Sequence, residues 1–459
     1  MSKMAIVGAT LIDGTGAQPI PNAVIVFEGN TIISVGSGHV DTLPDDVQII
    51  DASGKYVIPG IVNANVHLID GFAIMLGNGL EYLARFEGRY HEVIEESAQI
   101  ALRSGMTTVF DTWNAHGPVL YARDRIASGQ VPGSRVYAAG NIVGMGGPFS
   151  ADFSKESRNV MTRTFADRID TLFEAGVGRR LAALPPEEVR AIIRDYLDSG
   201  IDFLKFAISD HIMSEAMNPH LTFSERVQRI IAEETRAAGK PLVSHTTSIE
   251  SLNNAVELGV DAMMHCTLTA QVVIPDDIIE KMIKKSVWGE IQPVTNEYQR
   301  IMEAEGQFMA GYAGGAHRES TIRLIKAGAP ILMGTDAGCT DPDNLCDHPH
   351  HHLPDRPVTL GNDHFLWHRS MHQLGMKPMD ILMASTLNVA KAYHKQDVIG
   401  SIEVGKWADI LILGGNPLED IENFQSIDTI IQAGKIIDRD TLPVKKVVTQ
   451  YPRMEAHQH

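Results

Sequence analysis

Six residues that can bind a metal ion or move a proton follow short apolar stretches of this sequence. The first two lie in Pro59–His67, which reads Pro-Gly-Ile-Val-Asn-Ala-Asn-Val-His and has the pattern of a buried strand. Residues two apart on a strand point to the same side, so Asn65 and His67 could bind one ion together. Asn65 is an unusual ligand, because imidazole binds zinc better than an amide oxygen does.

Four further polar residues close later apolar segments, namely Lys205, His245, His265 and Asp336. Lys205 lies between two apolar neighbours, where a lysine is rare unless it is paired. Taken alone, each residue has an ordinary interpretation, such as a hydrogen-bonded core histidine or, for Asp336, a helix cap. Together, at the same end of five predicted strands, the six residues predict a site for zinc or a similar ion.

The segments that carry these residues alternate with predicted helices. Strands are predicted at 59–67, 107–111, 135–139, 201–208, 241–245, 261–265, 286–291 and 329–336. Eight strands separated by helices predict an α/β fold, a (β/α)8 TIM barrel, in which all strands end on one face. That topology would bring the six polar residues together although they are far apart in the sequence.

The two ends of the chain have a different pattern. Short strands with tight turns are predicted over 4–58, and a β pattern returns after a last helix near 378–394. We therefore predict a small β-sandwich domain formed by both chain ends. The predicted boundaries are 1–58 and 399–459 for this domain and 59–398 for the barrel.

The composition restricts the partners and the compartment. The chain has 459 residues, a net charge of −18 and no basic block, so nucleic acid and anionic membranes are poor partners. Three cysteines argue against a disulfide framework and fit a reducing compartment. We find no signal peptide and no apolar run long enough for a membrane span. A cytoplasmic protein with a small-molecule substrate is expected.

Over essentially its whole length, the chain resembles the amidohydrolase superfamily of metal-dependent hydrolases. The resemblance lies in Pro59-Gly60, Lys205, His245, His265, Gly334-Thr335-Asp336 and the late segment Gly405-Lys406-Trp407-Ala408-Asp409-Ile410. The family usually has His-x-His at the end of its first strand, whereas this chain has Asn65-Val66-His67. Among members of the family, this departure together with a lysine on strand four is similar to the bacterial phenylurea hydrolases.

The resemblance implies two divalent metal ions, with zinc expected. Asn65, His67 and Asp336 would hold one ion, and His245 and His265 would hold the other. Lys205 would bridge them as N6-carboxylysine, which replaces a cation by an oxygen anion. A hydroxide that bridges the metals would attack the substrate, and Asp336 would pass its proton to the leaving amine. The resemblance also implies a homo-oligomer.

The leading functional prediction is the hydrolysis of N-aryl ureas to anilines. A Xaa-Pro dipeptidase or a cyclic-amide hydrolase acting on imidazolones or hydantoins stays open as an alternative. A metal-binding protein with a degraded site, marked by Asn65, is the alternative from outside the enzymes. Related dipeptidases usually carry a His-Gly segment that meets the substrate carboxylate. The matching residues 144–149 read Gly-Met-Gly-Gly-Pro-Phe, which disfavours a substrate with a free carboxylate.

Three other features carry weaker predictions. His364 is a candidate substrate contact, although a structural role is the alternative. The histidines at 348, 350, 351 and 352 indicate a second metal site, a lid or a solvated loop. The apolar segment 68–86 could line an aromatic pocket or simply pack as a helix.

Overall fold

The computed structural model describes residues 3–38, 47–76, 79–211, 219–305, 315–339 and 358–450. Within these ranges the strands are β1 Lys3–Leu11, β2 Ile20–Glu28, β3 Thr31–Ser37, β4 Gln48–Asp51, β5 Tyr56–Pro59, β6 Ile61–Val66, β7 Met106–Asp111, β8 Arg135–Ala138, β9 Leu204–Ala207, β10 Leu242–His245, β11 Ala262–Met264, β12 Trp288–Ile291, β13 Ile331–Met333, β14 Ile410–Leu413, β15 Ile427–Gln432 and β16 Lys435–Ile437. Strands β6 to β13 correspond to the eight predicted barrel strands, and all eight predictions are confirmed.

The eight central strands close into a barrel. Strands β6, β7 and β8 pair in parallel, and β9 to β13 form a second parallel sheet. Parallel bridges between Val66 and Ala337 and between Val143 and Phe206 join the two sheets at both edges. The predicted (β/α)8 barrel is therefore confirmed, and the carboxyl ends of its strands share one face.

Helices cover the outside of the barrel. The α-helices are Gly71–Leu76, Gly79–Arg85, Tyr90–Arg103, His116–Ala127, Arg163–Glu174, Pro186–Asp198, Glu225–Ala237, Ile249–Leu258, Asp276–Lys285, Asn296–Glu305, Gly315–Ala327, Asp363–Gln373, Pro378–Ala384 and Leu387–Ala392. Short 3-10 helices are Lys155–Val160, Arg179–Ala183, Ile421–Gln425 and Arg439–Thr441. Every residue of β9 and β10 is buried, as expected for parallel strands that helices cover on one face and barrel side chains on the other.

Sequence signals explain where these helices form. In Tyr90–Arg103 the buried side chains recur at helical spacing and include Val93, Ile94, Ala98 and Leu102. Helix Pro186–Asp198 begins with proline at its first position and has two glutamates in its first turn, as its sequence predicts. The same apolar spacing therefore forms the helix and attaches it to the barrel.

Both chain ends contribute to one further sheet, in the order β16-β15-β14-β5-β1-β2-β3, with β4 also paired to β1. The predicted terminal β domain is confirmed, but its strands hydrogen-bond into one continuous sheet. Strand β1 makes this possible, because Met4–Val7 pairs with β4 and Thr10–Leu11 pairs with β5. Gly8 separates the two stretches with φ +81, and a Cβ there would clash with Ser53.

Strand β14 connects the terminal sheet to the barrel. Ile410 and Ile412 pack in the core of the terminal sheet, whereas Leu411 and Leu413 pack in the barrel core. Alternation along a strand explains how one apolar run serves two cores. The domain boundaries, the homo-oligomer and the cytoplasmic location stay predictions. No helix in the described ranges is long and apolar enough to cross a membrane.

Candidate active site

A pocket opens among the carboxyl ends of the barrel strands, with an empty volume of about 600 Å³ that includes its open mouth. Its described lining residues are His67, Gly71, Met75, Trp113, Ile142, Phe153, Lys205, His211, His245, Thr247, His265, Leu268 and Asp336. Five of the six predicted site residues therefore line one pocket. The sixth, Asn65, is fully buried at the end of β6 and hydrogen-bonds to Glu290 and Thr112.

A chain of hydrogen bonds crosses the base of the site. Lys205 Nζ donates to Thr112 Oγ1 at 3.0 Å, and the Thr112 hydroxyl donates to Asn65 Oδ1. Asn65 Nδ2 then donates to Glu290 Oε2 at 3.2 Å, and the backbone N–H of His265 donates to the same oxygen. Both ends of the Asn65 amide are thus engaged, which fixes its orientation.

Asp336 and His67 form a carboxylate–imidazole pair in the pocket. Asp336 Oδ1 lies 3.3 Å from His67 Nε2, and Asp336 Oδ2 accepts a hydrogen bond from Gln292 Nε2. Burial alone would raise the pKa of Asp336, but its contact with His67 and the nearby His265 and Lys205 lower the pKa below its usual value. Asp336 is therefore ionised at neutral pH.

His245 and His265 form an imidazole pair whose ring centroids are 4.4 Å apart. His265 Nδ1 lies 3.0 Å from the carbonyl oxygen of Thr246, and the His245 ring hydrogen-bonds the backbone of Asp210. Burial lowers the pKa of both rings, that of His265 to about 3. Both rings are therefore neutral, and a backbone carbonyl fixes the proton on one nitrogen while the other stays available as a ligand.

Two of these residues adopt backbone conformations that are uncommon for side-chain-bearing residues. His265 has φ +39 and Asp336 has φ +53, each just after a barrel strand. Hydrogen bonds hold both positions: Glu290 accepts from the His265 backbone N–H, and the Asn65 carbonyl accepts from the Asp336 N–H at 2.9 Å. Such conformations concentrate at functional sites, where surrounding contacts maintain them.

His211 is a site residue that the sequence predictions missed. It follows β9, its ring lies 4.6 Å from that of His245, and burial lowers its pKa to about 4. Its Nε2 is buried and has no hydrogen-bond partner in the described part of the chain. A histidine six residues after Lys205, beyond the end of a barrel strand, was the available signal.

Glu290 is a second missed residue. It is fully buried on β12, and burial together with Asp336 raises its pKa to about 8. A Cβ on Gly334 would clash with the Glu290 side chain, which explains the glycine of Gly334-Thr335-Asp336. A carboxylate in the otherwise apolar strand Trp288–Ile291 was the available signal.

His364 lies away from the described lining of the pocket, and its predicted substrate contact stays a prediction. The ring is fully buried at the start of helix Asp363–Gln373, and His364 Nε2 lies 3.0 Å from the carbonyl oxygen of Ser104. Ser104 follows the helix Tyr90–Arg103, so this contact ties two outer helices together. His364 is not one of the described lining residues of the pocket. These contacts favour the structural alternative.

The remaining sequence predictions concern the apolar segment 68–86, the histidine cluster and the cysteines. Gly71 and Met75 of the apolar segment 68–86 line the pocket, while Tyr82 packs against Phe86 at 5.1 Å, so this segment has both predicted roles. The histidine cluster at 348–352 and Cys346 lie outside the described residues. The other two cysteines, Cys266 and Cys339, are buried and free.

The family model named Amidohydrolase family matches residues 56–437. The chain belongs to the amidohydrolase family. This membership covers the barrel, the strands that flank it and every predicted site residue. The amidohydrolase is thus an enzyme that hydrolyses C–N bonds of small-molecule substrates, and the predicted resemblance is confirmed.

Two solved structures are similar to the amidohydrolase over almost their whole length. A structure of molinate hydrolase has 50% identity and a TM-score of 0.95, and the match covers 99% of this chain and 98% of that chain. Phenylurea hydrolase B has 47% identity and a TM-score of 0.95, covering 98% of this chain and 100% of that chain. Among curated proteins, imidazolonepropionase of Fusobacterium nucleatum subsp. nucleatum is 25% identical over 407 residues, which are 85% of this chain and 84% of that protein.

Amidohydrolases generally use divalent metals, so the donor set must be tested for such a role. In the described ranges, no three or more His, Cys, Asp or Glu side chains are grouped as a metal site. The donors instead form two pairs, His67 with Asp336 and His245 with His265.

The chemistry of the individual donors nevertheless fits a divalent cation. His67 Nδ1 and His245 Nε2 are buried without a hydrogen-bond partner among the described residues. The imidazoles of His245 and His265 are neutral, and Asp336 is ionised. Neutral imidazole nitrogens and a carboxylate at one pocket are the ligands that zinc prefers. The exact ligand set and the metal stay predictions.

Proposed function

We propose that this amidohydrolase hydrolyses N-aryl ureas to anilines. The observation that carries the proposal is one pocket that combines the Asp336–His67 and His245–His265 pairs with an aromatic wall. The identity of 47% to phenylurea hydrolase B over nearly the whole chain supports the same substrate class.

The aromatic wall suits a flat aryl group. Trp113 and Phe153 both line the pocket and stack with their ring centroids 4.6 Å apart. Trp113 Nε1 donates to Asn141 Oδ1 at 3.1 Å, and Phe173 packs against the indole at 5.3 Å. The indole is held on two sides, so the wall is formed before substrate binds. An aryl ring gains burial and stacking energy against such a surface.

The charges around the pocket favour an uncharged substrate. Among the described lining residues, Lys205 is the basic side chain other than histidine, and it lies at the base of the site on Thr112. Arg179 is engaged by Asp152 at 2.7 Å and lies 3.6 Å from Asp210 Oδ2. A dipeptide carboxylate would find no available counter-ion among the described lining residues. This arrangement supports a urea over a Xaa-Pro dipeptide.

The proposed metal ligands are Asn65, His67 and Asp336 for one ion and His245 and His265 for the other, with zinc expected. Bound there, divalent ions would lower the pKa of a water molecule and polarise the substrate carbonyl. Lys205, as a carbamate, would supply a further oxygen ligand. Its amine nitrogen would form a bond to the carbon of CO2 and lose a proton, which turns a buried amine into an oxygen ligand.

The residues of the chain then carry the remaining steps. Asp336 takes the proton from the attacking water and donates it to the aryl nitrogen as the C–N bond breaks. The products are an aniline and a carbamic acid, which loses CO2 to give an amine. Both nitrogens of a urea donate electrons into the carbonyl, so the carbonyl needs strong polarisation. An aniline leaves more easily than an alkylamine, which favours an N-aryl substrate.

Thiocarbamates are a second candidate class, favoured by the identity of 50% to molinate hydrolase. Molinate is a thiocarbamate, and its carbonyl carbon also carries an electron-donating nitrogen. The same water attack would break the C–S bond, and the proton would pass to the sulfur. The apolar side chains of Ile142, Leu268 and Met75 would serve an alkyl group as well as an aryl group.

A substrate panel on metal-replete enzyme tests the proposal. Dimethyl-phenylurea, molinate, a Xaa-Pro dipeptide and a hydantoin would be compared at equal concentration, with bound metal quantified in the same samples. We expect aniline release from the urea at a rate above that for the dipeptide and hydantoin. Metal-replete protein that releases no aniline would contradict the urea proposal, and faster turnover of molinate would favour the second class.

A further inference from the structure

We infer that His211 is a further catalytic residue, which donates a hydrogen bond to the carbonyl oxygen of the substrate during hydrolysis. The inference deepens the proposed function and rests on it for the identity of the substrate. The first observation is a ring nitrogen of His211 that has no hydrogen-bond partner among the described residues. His211 lines the pocket, and its buried Nε2 meets no hydrogen-bond partner in the described ranges.

The surroundings of His211 direct its ring into the site. Its ring lies 4.6 Å from His245 at an interplanar angle of 66° and 5.0 Å from Phe153. It stands between the imidazole pair and the aromatic wall, where the urea group of a bound N-aryl urea would lie. His211 lines the same pocket as Lys205, His67 and Asp336.

The turn that carries His211 is fixed by contacts from two other segments. Thr247 N–H donates to Ser209 Oγ at 2.8 Å, and Thr247 Oγ1 donates to the Asp210 carbonyl at 2.7 Å. His220 N–H donates to Asp210 Oδ1 at 2.8 Å, and Asp210 N–H donates to the His220 carbonyl at 2.9 Å. The backbone before His211 is therefore held before substrate arrives. Donors that are fixed in this way stabilise developing charge with little reorganisation.

Two other roles for His211 fit the structure less well. A proton-transfer role is already filled by Asp336, which is ionised beside His67. The metal-ligand roles on this side of the site are already assigned to His245 and His265 in the proposed function, whose rings lie 4.4 Å apart. A neutral imidazole N–H needs no change of protonation to bind an oxygen that gains negative charge. Because that charge grows towards the transition state, the effect should fall on kcat more than on KM.

The purely structural alternative is that the His211 ring fills space between Phe153 and His245. Two substitutions separate this role from catalysis. His211→Phe keeps a ring at this position but removes the N–H group, whereas His211→Asn loses the ring but retains an amide donor. A packing role predicts that phenylalanine is the better replacement, and a catalytic hydrogen bond predicts that asparagine is.

For His211→Phe we expect kcat on dimethyl-phenylurea to fall about 100-fold, as for loss of one donor to a developing oxyanion, with KM and metal content close to wild type. We expect His211→Asn to recover about tenfold of this loss. His372→Phe, at an exposed histidine of helix Asp363–Gln373, is the matched control and should keep wild-type kinetics. Wild-type kcat in His211→Phe, or loss of metal together with activity, would overturn the inference.

A binding measurement separates this inference from the proposed substrate. N-phenyl phosphoramidate presents tetrahedral oxygens and an aryl group without being turned over as a urea. Calorimetry should show weaker binding to metal-loaded His211→Phe than to wild type, by about the same factor as the loss in kcat. Equal binding would contradict the role of His211. Absence of aniline release from wild type would instead count against the proposed function, since the difference in binding can still be measured.

Discussion

The two sides of the candidate site are held in place by different kinds of contact. The first-strand side consists of Asn65, His67 and Asp336, and the imidazole side consists of His211, His245 and His265. Side chains hold the first-strand side: Thr112 and Glu290 engage the Asn65 amide, and Gln292 engages Asp336. Backbone carbonyls orient the imidazole side, that of Thr246 on His265 and that of Asp210 on His245.

This difference predicts how each side responds to substitution. The first-strand side depends on side chains that a mutation can replace, so its geometry can be altered without removing a proposed ligand. On the imidazole side the orienting groups are main-chain atoms, so a substitution there acts chiefly through the imidazole it removes. The two sides meet at Glu290, which accepts from Asn65 and from the His265 backbone.

The largest effect is expected on the first-strand side for Asp336→Asn. An amide cannot accept the proton of the attacking water, so kcat should fall about 10³-fold or more, within the range of general acid–base catalysis. Aniline release and metal content would be measured together. If the variant keeps more than about a tenth of wild-type kcat, Asp336 does not move the proton.

The next largest effect is expected on the imidazole side for His245→Ala. Its unpartnered Nε2 is a proposed ligand atom, so the variant should lose one of the two proposed ions on dialysis, and activity should fall at least about 100-fold. His394→Ala is the matched control, because this half-exposed histidine contacts Asp261 at 3.0 Å, away from the described pocket lining. Full metal retention in His245→Ala would contradict the assignment of His245 as a ligand.

Substitutions of Glu290 test the contact between the two sides, because Glu290 accepts hydrogen bonds from Asn65 and from the His265 backbone. Glu290→Gln can present its carbonyl oxygen to Asn65 and to the His265 backbone while its amide group takes the place of Oε1, which has no partner in the described part of the chain. Glu290→Leu leaves both donors unpaired, which destabilises the fold by about 1–3 kcal/mol per donor.

We therefore expect Glu290→Leu to weaken metal retention about 10- to 100-fold and to lower the free energy of unfolding, whereas Glu290→Gln should stay close to wild type. Metal release to a chelator and denaturant unfolding would be measured on both variants. If glutamine damages the site as much as leucine does, the charge of Glu290 matters and the hydrogen-bond explanation fails.

The pattern of the sequence predicts the barrel and the pocket well because both follow from parallel topology. Eight apolar segments that alternate with helices favour a closed barrel, and its strand ends bring His67, Lys205, His245, His265 and Asp336 to one pocket. Residues at strand ends can be located in this way without knowledge of side-chain contacts. The terminal domain was predicted equally well, because strand patterns at both chain ends require pairing partners.

Residues that lie away from strand ends could not be located in this way. His211 stands on a turn whose position is fixed by Thr247 and His220, and no local pattern reveals such contacts. Glu290 lies inside the barrel, where its role depends on Asn65 of β6 and on His265, which follows β11. The position of His364 could not be predicted for the same reason, because packing and not residue type decides which face of its helix meets Ser104.

The smallest effect is expected for Asn65→His, which sharpens the comparison of the two sides. Imidazole donates more strongly to zinc than an amide oxygen does, so the variant should retain metal more tightly, by about tenfold. Turnover should also change, because a weaker donor leaves its ion more Lewis-acidic, and we expect kcat to fall. The Asn65 amide is held between Thr112 and Glu290, so the histidine must give up one of these hydrogen bonds. Chelator release and kcat measured on the same preparation check this prediction. If neither responds, Asn65 is not a ligand, and its amide serves only to connect Thr112 with Glu290.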